Sequence, residues 1–268
     1  MEKIIYITGG SSKIGQILRK NLFELSYKVF IYSRNELGMF ANESFIHFSL
    51  SNKIEPIEGN YEHIIFHLAH DYYDRKSGDN NINVSGLKNI IKSFNTKENK
   101  KIIFISTPDV NNPNSTIYTS QKKLSESILN PNKDLIIRSS LIVSENAMNN
   151  IFQYLPKFGI PIPTNKSKLA PMSVENFSDN LLSQGLNTES SGVVLFSGKK
   201  LITLKTFLKE NHKINTFNLP NSLWFMLAFL LKISHMPKLF YLSERILGYI
   251  YLRDIEILKE KSIKIIFI

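Results

Sequence analysis

Six short apolar runs recur through the first half of the chain: IIYIT (4–8), KVFIYS (28–33), FIHFSL (45–50), HIIFHLA (63–69), KIIFIS (101–106) and LIIRSS (135–140). They are largely continuous rather than alternating, the pattern of strands buried on both faces. Longer stretches of helical period lie between most of them, such as 14–26, 82–95 and 117–129. Strands covered by helices on both sides and joined by right-handed crossovers predict an α/β fold with a doubly wound, Rossmann-like parallel sheet. From about residue 146 the rhythm breaks. YLPKFGIPIPTNKSKLAPM is Pro-rich and loop-like, and the remainder reads as helices with one strand at GVVLFSG (192–198). The pattern therefore predicts a nucleotide-binding domain over 1–145 and a smaller, mixed or helical C-terminal lobe over 146–268 that forms a cleft with it.

Composition narrows this picture. The 268 residues contain no cysteine, which excludes disulfides and thiolate catalysis and is compatible with a cytoplasmic location. The net charge of +10 is spread along the chain and comes with no nucleic-acid-binding motif, so no nucleic-acid partner is expected. The first residues lack the layout of a signal peptide. LWFMLAFLL (223–231) is the most hydrophobic stretch but falls far short of the roughly 20 residues that span a bilayer. It reads as a buried or lobe-packing helix, with a membrane-surface helix as the alternative.

TGGSSKIG (8–15) joins the first apolar run to the first helical stretch, where a dinucleotide's phosphates would meet a helix N-terminus. Gly9 and Gly10 supply the turn and Gly15 a close helix–strand contact. The middle glycine of such a loop is absent, with Ser12 and Lys13 in its place. Ser11 and Ser12 add hydroxyl donors, Ser12 is a candidate helix cap, and Lys13 adds a positive charge beside the phosphates. The second strand ends in Ser33 and Arg34 rather than an acidic residue. A guanidinium there pairs with a 2′-phosphate, favouring NADP(H) over NAD(H).

Tyr and Lys four residues apart share one helix face, and the ammonium favours the phenolate, drawing the Tyr pKa toward working pH. Such a Tyr serves as acid/base in carbonyl–alcohol interconversion. The spacing occurs at Tyr72–Lys76, in a turn-rich segment, and at Tyr118–Lys122, which opens a helical stretch. The strand before the second pair ends in Ser106 and Thr107, hydroxyls able to hold a substrate oxygen. His63, His67 and His70 do not suggest a metal: on a strand His63 and His67 stand roughly 13 Å apart. No Gly-x-Ser-x-Gly elbow of a serine hydrolase occurs.

The ordered set TGGSSKIG, IFHLAH (65–70), NVSGLKNII (83–91), FISTPDV (104–110), YTSQK (118–122) and IIRSSLIVS (136–144) resembles the extended short-chain dehydrogenase/reductases, the nucleotide-sugar epimerase/dehydratase/reductase family. APMSVENFSDNLL (170–182) and SERILGYIYLRD (243–254) extend the resemblance, the latter to members encoded in polysaccharide loci. The resemblance implies Tyr118 as acid/base, Lys122 as its partner and as a nicotinamide-ribose ligand, and Thr107, or else Ser106, as the substrate-holding hydroxyl. It also implies cofactor contacts from Gly9, Ser11, Ser12, Lys13, Ile14, Gly15, Ser33, Arg34, Leu68, Ala69 and His70. Asn83 and Arg245 are implied at the substrate, Arg245 at its diphosphate.

The chain departs from the family pattern at the missing glycine, at Ser49 where an adenine-reading Asp is usual, and at Ser140 near a usual proline. Eleven positions take Thr107 to Tyr118, a shortened connection. The implied function is reduction of a 4-keto group on a nucleotide-diphosphate sugar for surface polysaccharide, with a 4-epimerase as runner-up. A non-catalytic nucleotide-sensing or scaffold protein is the alternative outside the enzymes. A homodimer is compatible with either.

Overall fold

The apolar runs form eight parallel strands of one sheet in a computed structural model, which describes residues 1–114, 116–144, 160–164, 166–234, 236–251 and 263–268. They are β1 (Lys3–Thr8), β2 (Lys28–Ser33), β3 (Glu43–His47), β4 (Glu62–His67), β5 (Lys100–Ser106), β6 (Leu135–Ser139), β7 (Gly192–Ser197) and β8 (Lys264–Phe267). Their spatial order is β8-β7-β6-β5-β4-β1-β2-β3, and every pairing is parallel. The order reverses between β1 and β4, so this is a doubly wound α/β sheet with its switch point there.

Alternation along the strands feeds two core layers. Ile5, Ile7, Ile31, Phe66 and Ile137 face α1 (Lys13–Glu24) and a later helix that carries Phe177 and Leu181. Tyr6, Phe30, Ile65 and Phe104 face Leu87, Ile90 and Phe94 on and beside α2 (Ile82–Ser93). The helices start where the sequence supplies caps. Ser12 accepts from the Gly15 N–H, Asn81 from the Val84 N–H, and Thr116 opens α3 (Ile117–Ser127) by accepting from the Thr119 N–H.

The chain beyond residue 145 divides between sheet and lobe. Helix α4 (Val174–Leu186), strand β7 and strand β8 belong to the sheet layers, so the sheet itself crosses the boundary expected at 145. The apolar segment KIIF (264–267) pairs with β7, although the sequence pattern after 198 suggested only helices. The Pro-rich stretch lies partly outside the described residues. Within it, 160–163 pairs in parallel with 216–219, and 168–169 pairs with 202–203. Among the described residues the lobe also contains the helices α5 (Leu204–His212), α6 (Asn221–Ile233) and α7 (Pro237–Ile250). Among the described residues, no helix is long and apolar enough to cross a membrane.

Helix α1 is fastened to the sheet edge by an ion pair. Arg19 donates from Nε and Nη2 to the two Glu43 carboxylate oxygens at 2.7 and 2.6 Å, and from Nη2 to the Gly38 carbonyl at 2.6 Å. Both side chains are almost wholly withdrawn from solvent. Removing one partner strands a buried charge. Arg19→Met is expected to cost about 3–5 kcal/mol of stability by urea denaturation, whereas breaking the exposed Lys20–Glu24 pair should change it by less than about 0.5 kcal/mol.

Candidate active site

The switch point opens a cleft of about 750 Å³ at the carboxyl ends of the strands. Its floor is built by close backbone approach. Gly9 has φ +74°, and a Cβ there would lie 2.8 Å from the Ala69 nitrogen. A Cβ on Gly15 would meet the Gly9 carbonyl oxygen at 2.8 Å, so the first turn of α1 is pressed against the loop that precedes it. Thr8 links the two central strands: its hydroxyl lies 2.7 Å from His67 Nδ1 and accepts from the Ala69 N–H. Ser12 occupies the missing glycine's place with extended backbone and caps α1, so the substitution adds a side chain without a left-handed residue.

Most of the sequence-predicted residues line this one cleft. Gly9, Ser11, Ser12, Lys13 and Ile14 form one end, with Ser33 and Arg34 at the tip of β2. Leu68, Ala69 and His70 continue from β4, Ser106 and Thr107 from β5, and Tyr118 and Lys122 from α3. Arg245 closes the far side from α7, its guanidinium 5.4 Å from the Tyr241 ring centre. Gly15 lies beneath the loop rather than on the cleft surface. Asn83 is also outside the lining. Its amide accepts from the Asp71 N–H and donates to the Asp71 carbonyl and to Gln121 Oε1, so the expected substrate contact is instead a brace for the loop after β4. Gln121 extends the brace by donating to the carbonyls of Asp74 and Lys76.

Helix α3 brings Tyr118 and Lys122 together, with Lys122 Nζ 5.6 Å from the phenol ring centre. Lys122 donates to the Ile105 carbonyl at 2.8 Å and sits 4.6 Å over the Phe104 ring. Burial, opposed by Glu126, lowers its pKa to about 7. The Tyr118 pKa moves opposite to the sequence expectation. Enclosure in the cleft raises it, neighbouring Tyr72 adds to the rise, and Arg245 opposes it. The ammonium that was to favour the phenolate is itself disfavoured by burial and donates to the Ile105 carbonyl. A salt bridge between Glu126 and Arg138, at 2.8 Å, anchors this helix to β6.

Among the described residues, the buried atoms Ser106 Oγ, His70 Nε2 and Tyr32 OH of the cleft lining have no hydrogen-bond partner. Thr107 Oγ1 is partly used, accepting a long bond from the Asp109 N–H as it caps a single 3₁₀ turn. Burial, then the Lys122 charge, holds His67 down at about 3 and His70 well below the usual imidazole range, so both rings are neutral at pH 7. His63 bonds to Tyr6 on the sheet's other layer, and among the described residues no three His, Cys, Asp or Glu side chains are placed to hold a metal ion.

The site contains aromatic residues that spacing alone does not assign to it. Tyr72 stacks on Tyr118 at 5.8 Å and 20°, and Tyr241 meets Tyr72 edge-on at 5.6 Å. The available signal was DYYD, an aromatic pair immediately after the switch-point strand. The Tyr72–Lys76 spacing does flag Tyr72, but as half of a helical pair that does not form.

No family model and no curated protein matches the sequence. Many solved structures share the fold. Among them, TunA, an NAD-dependent NDP-hexosamine 5,6-dehydratase of tunicamycin biosynthesis, aligns with TM-score 0.62 at 14% identity over 82% of this chain and 84% of that one. A hypothetical dTDP-4-dehydrorhamnose reductase from Sulfolobus tokodaii aligns at 0.61 and 18% over 82% and 86%. Epimerase Mth375 from Methanothermobacter thermautotrophicus aligns at 0.61 and 15% over 98% and 96%. The chain thus has the Rossmann-like fold of the extended short-chain dehydrogenase/reductases that its motifs resemble.

The lowered Lys122 pKa has a thermodynamic signature. Between pH about 7 and the ordinary lysine value of 10.5, the unfolded chain holds a proton that the folded chain has released. Stability therefore rises with pH across this window, and the penalty for charging Lys122 is complete below it. In denaturant titrations of the protein without added ligand, this rise is expected to be smaller in Lys122→Met. An identical pH dependence in both proteins would show that Lys122 titrates normally.

Proposed function

We propose that the protein is an NAD(P)-dependent oxidoreductase that reduces the 4-keto group of a nucleotide-diphosphate sugar. The observation that carries this reading is the meeting of Tyr118, Lys122, Ser106 and Thr107 beside the crevice at the switch point. The residues present fit a dinucleotide. The glycine floor admits no Cβ at Gly9 or Gly15, the N-terminus of α1 faces the cleft, and buried Ser106 Oγ and His70 Nε2 await partners. Ser11, Ser12 and Ile14 border the phosphate end, while Leu68, Ala69 and His70 border the inner end.

Hydride transfer is the chemistry a nicotinamide cofactor supplies when bound there. The chain's residues supply the remainder. Lys13 and Arg34, both exposed at the phosphate end, are suited to a 2′-phosphate and support NADP(H), with NAD(H) as the alternative. Ser106 and Thr107 orient the sugar oxygen by hydrogen bonding. Tyr118, held as a neutral phenol by its surroundings, is poised to donate a proton to that oxygen, the direction a reduction requires. Lys122 carries a second titratable proton on the same helix face and binds the cofactor ribose. Arg245, in the lobe wall, balances the charge of the substrate diphosphate. The brace of Asn83 and Gln121 behind the loop supports the segment that sets Tyr72 against Tyr118.

NADPH is expected to raise the thermal midpoint more than NADH, and to be oxidised when a UDP- or dTDP-4-keto sugar is added. Tyr118→Phe should lower the rate by about 10²–10⁴-fold while preserving the NADPH-induced thermal shift. An unchanged rate would remove Tyr118 from the chemistry. Interconversion of 4-hydroxyl sugars without added cofactor would replace reduction by epimerisation, and no thermal response to either nucleotide would exclude both enzymes.

A further inference from the structure

Helix α6 is apolar on two faces, and among the described residues the fold covers only one. Its inner seam of Trp224, Ala228 and Leu231 packs on Ile246, Leu247 and Ile250 of α7 and on Tyr251. The opposite face carries Met226, Phe229, Leu230 and Ile233, spaced i, i+3, i+4, i+7, one continuous helical stripe. These side chains are 57%, 64%, 54% and 60% exposed, and Met236 extends the stripe at 59%. Of the whole helix only Ala228 is fully buried. The lobe-packing helix read from the sequence therefore packs along one side and presents an equally apolar side outward.

We propose that this stripe docks the protein on an anionic membrane surface, with α6 lying in the plane of the interface. The charges around it fit that occupant. From Asn221 to Ser243 the chain carries Lys232 and Lys238 and no carboxylate, and both lysines are exposed. The first acid beyond, Glu244, is turned inward onto the Ile117 N–H and Lys232. The side chains of the stripe carry no hydrogen-bonding group to specify a partner, whereas lipid accepts an unpatterned apolar face flanked by cations. At 13 residues the helix is about 20 Å long, enough to lie in the interface and too short to cross it. Because α6 packs on α7, which carries Tyr241 and Arg245 in the cleft wall, docking holds the cleft one helix away from the lipid.

The test is co-sedimentation of the full chain with vesicles of phosphatidylcholine alone or with phosphatidylglycerol added. Binding is expected to the anionic vesicles, several-fold weaker to the neutral ones, and reduced by salt. A Phe229→Ser/Leu230→Ser double variant is expected to lose at least about tenfold in partitioning with an unchanged melting curve. Lys238→Gln should weaken binding to anionic vesicles only. Absence of binding to both compositions, or equal binding by wild type and double variant, would overturn the proposal. So would self-association without vesicle binding that disappears in the double variant, since the stripe would then belong to a second copy of the chain.

Discussion

The reversal of strand order between β1 and β4 is the constraint on which the rest of the molecule depends. Parallel strands on either side of that point send their helices to opposite faces, so their carboxyl ends part and leave a crevice that no helix fills. The chain can turn there only by backbone contact. Gly9 takes a left-handed conformation with no room for a Cβ beside Ala69, and Gly15 is pressed against the Gly9 carbonyl. Thr8 then ties β1 to His67 and to the chain leaving β4. A side chain at Gly9 would push against the chain leaving β4, and one at Gly15 would lift α1 off the loop that precedes it.

The same geometry fixes the electrostatics. Residues leaving β4 and β5 and those on α3 converge over a floor made of apolar side chains, so His67, His70 and Lys122 share a poorly solvated space. Desolvation disfavours each charge, and the Lys122 charge presses both imidazoles further toward neutrality. Three basic groups thus stand side by side at little cost because most of them are uncharged. Tyr118 is governed by the same surroundings in the opposite formal direction: enclosure keeps its proton on. The floor presents hydrogen-bonding atoms rather than fixed charges, and the cationic side chains Lys13, Arg34 and Arg245 are placed at the mouth and lobe wall, where water or an anionic ligand stabilises them.

Buried parallel strands advertise themselves in sequence because both faces must be apolar, and six of the eight strands here are legible as runs in the first half of the chain. β7 is legible for the same reason. β8 is not: IKIIFI (263–268) is a short apolar run at the end of a region dominated by helical periods, and only its pairing with β7 distinguishes it from a helix. That the loop, the Tyr118–Lys122 pair and the hydroxyls at the end of β5 border one cleft is legible because each follows from local spacing at a strand end or helix start. Asn83, implied at the substrate by the family resemblance, shows what a motif match leaves out. It lies in the first turn of α2, and its amide bonds to Asp71 and Gln121, contacts separated by 12 and 38 positions that no local pattern encodes. The Tyr118 pKa fails in the same way: the i, i+4 rule supplies the neighbour, while burial, with Tyr72 and Tyr241 from other elements beside the ring, overrides it against the opposing charge of Arg245.

The contact between α7 and the sheet domain combines aromatic packing of Tyr241 on Tyr72 and Tyr73 with buried polar bonds. Glu244 places one carboxylate oxygen 2.7 Å from the Ile117 nitrogen, at the N-terminus of the helix that carries Tyr118, and the other 3.5 Å from Lys232 of α6. A carboxylate at a helix N-terminus is favoured by the unpaired N–H groups and the positive end of the dipole, so this buried acid is well placed despite its burial. Beside it, Asn112 donates to the Tyr251 carbonyl at 2.7 Å. These bonds orient α7 and thereby set Tyr241 and Arg245 against Tyr72 and Tyr118. They also explain the exposed stripe on α6. α7 meets the sheet domain through Glu244 on one side and gives Ile246, Leu247 and Ile250 to α6 on another, and among the described residues nothing covers the far face of α6. Position of the acid at α3 and exposure of the stripe on α6 are two outcomes of one packing arrangement.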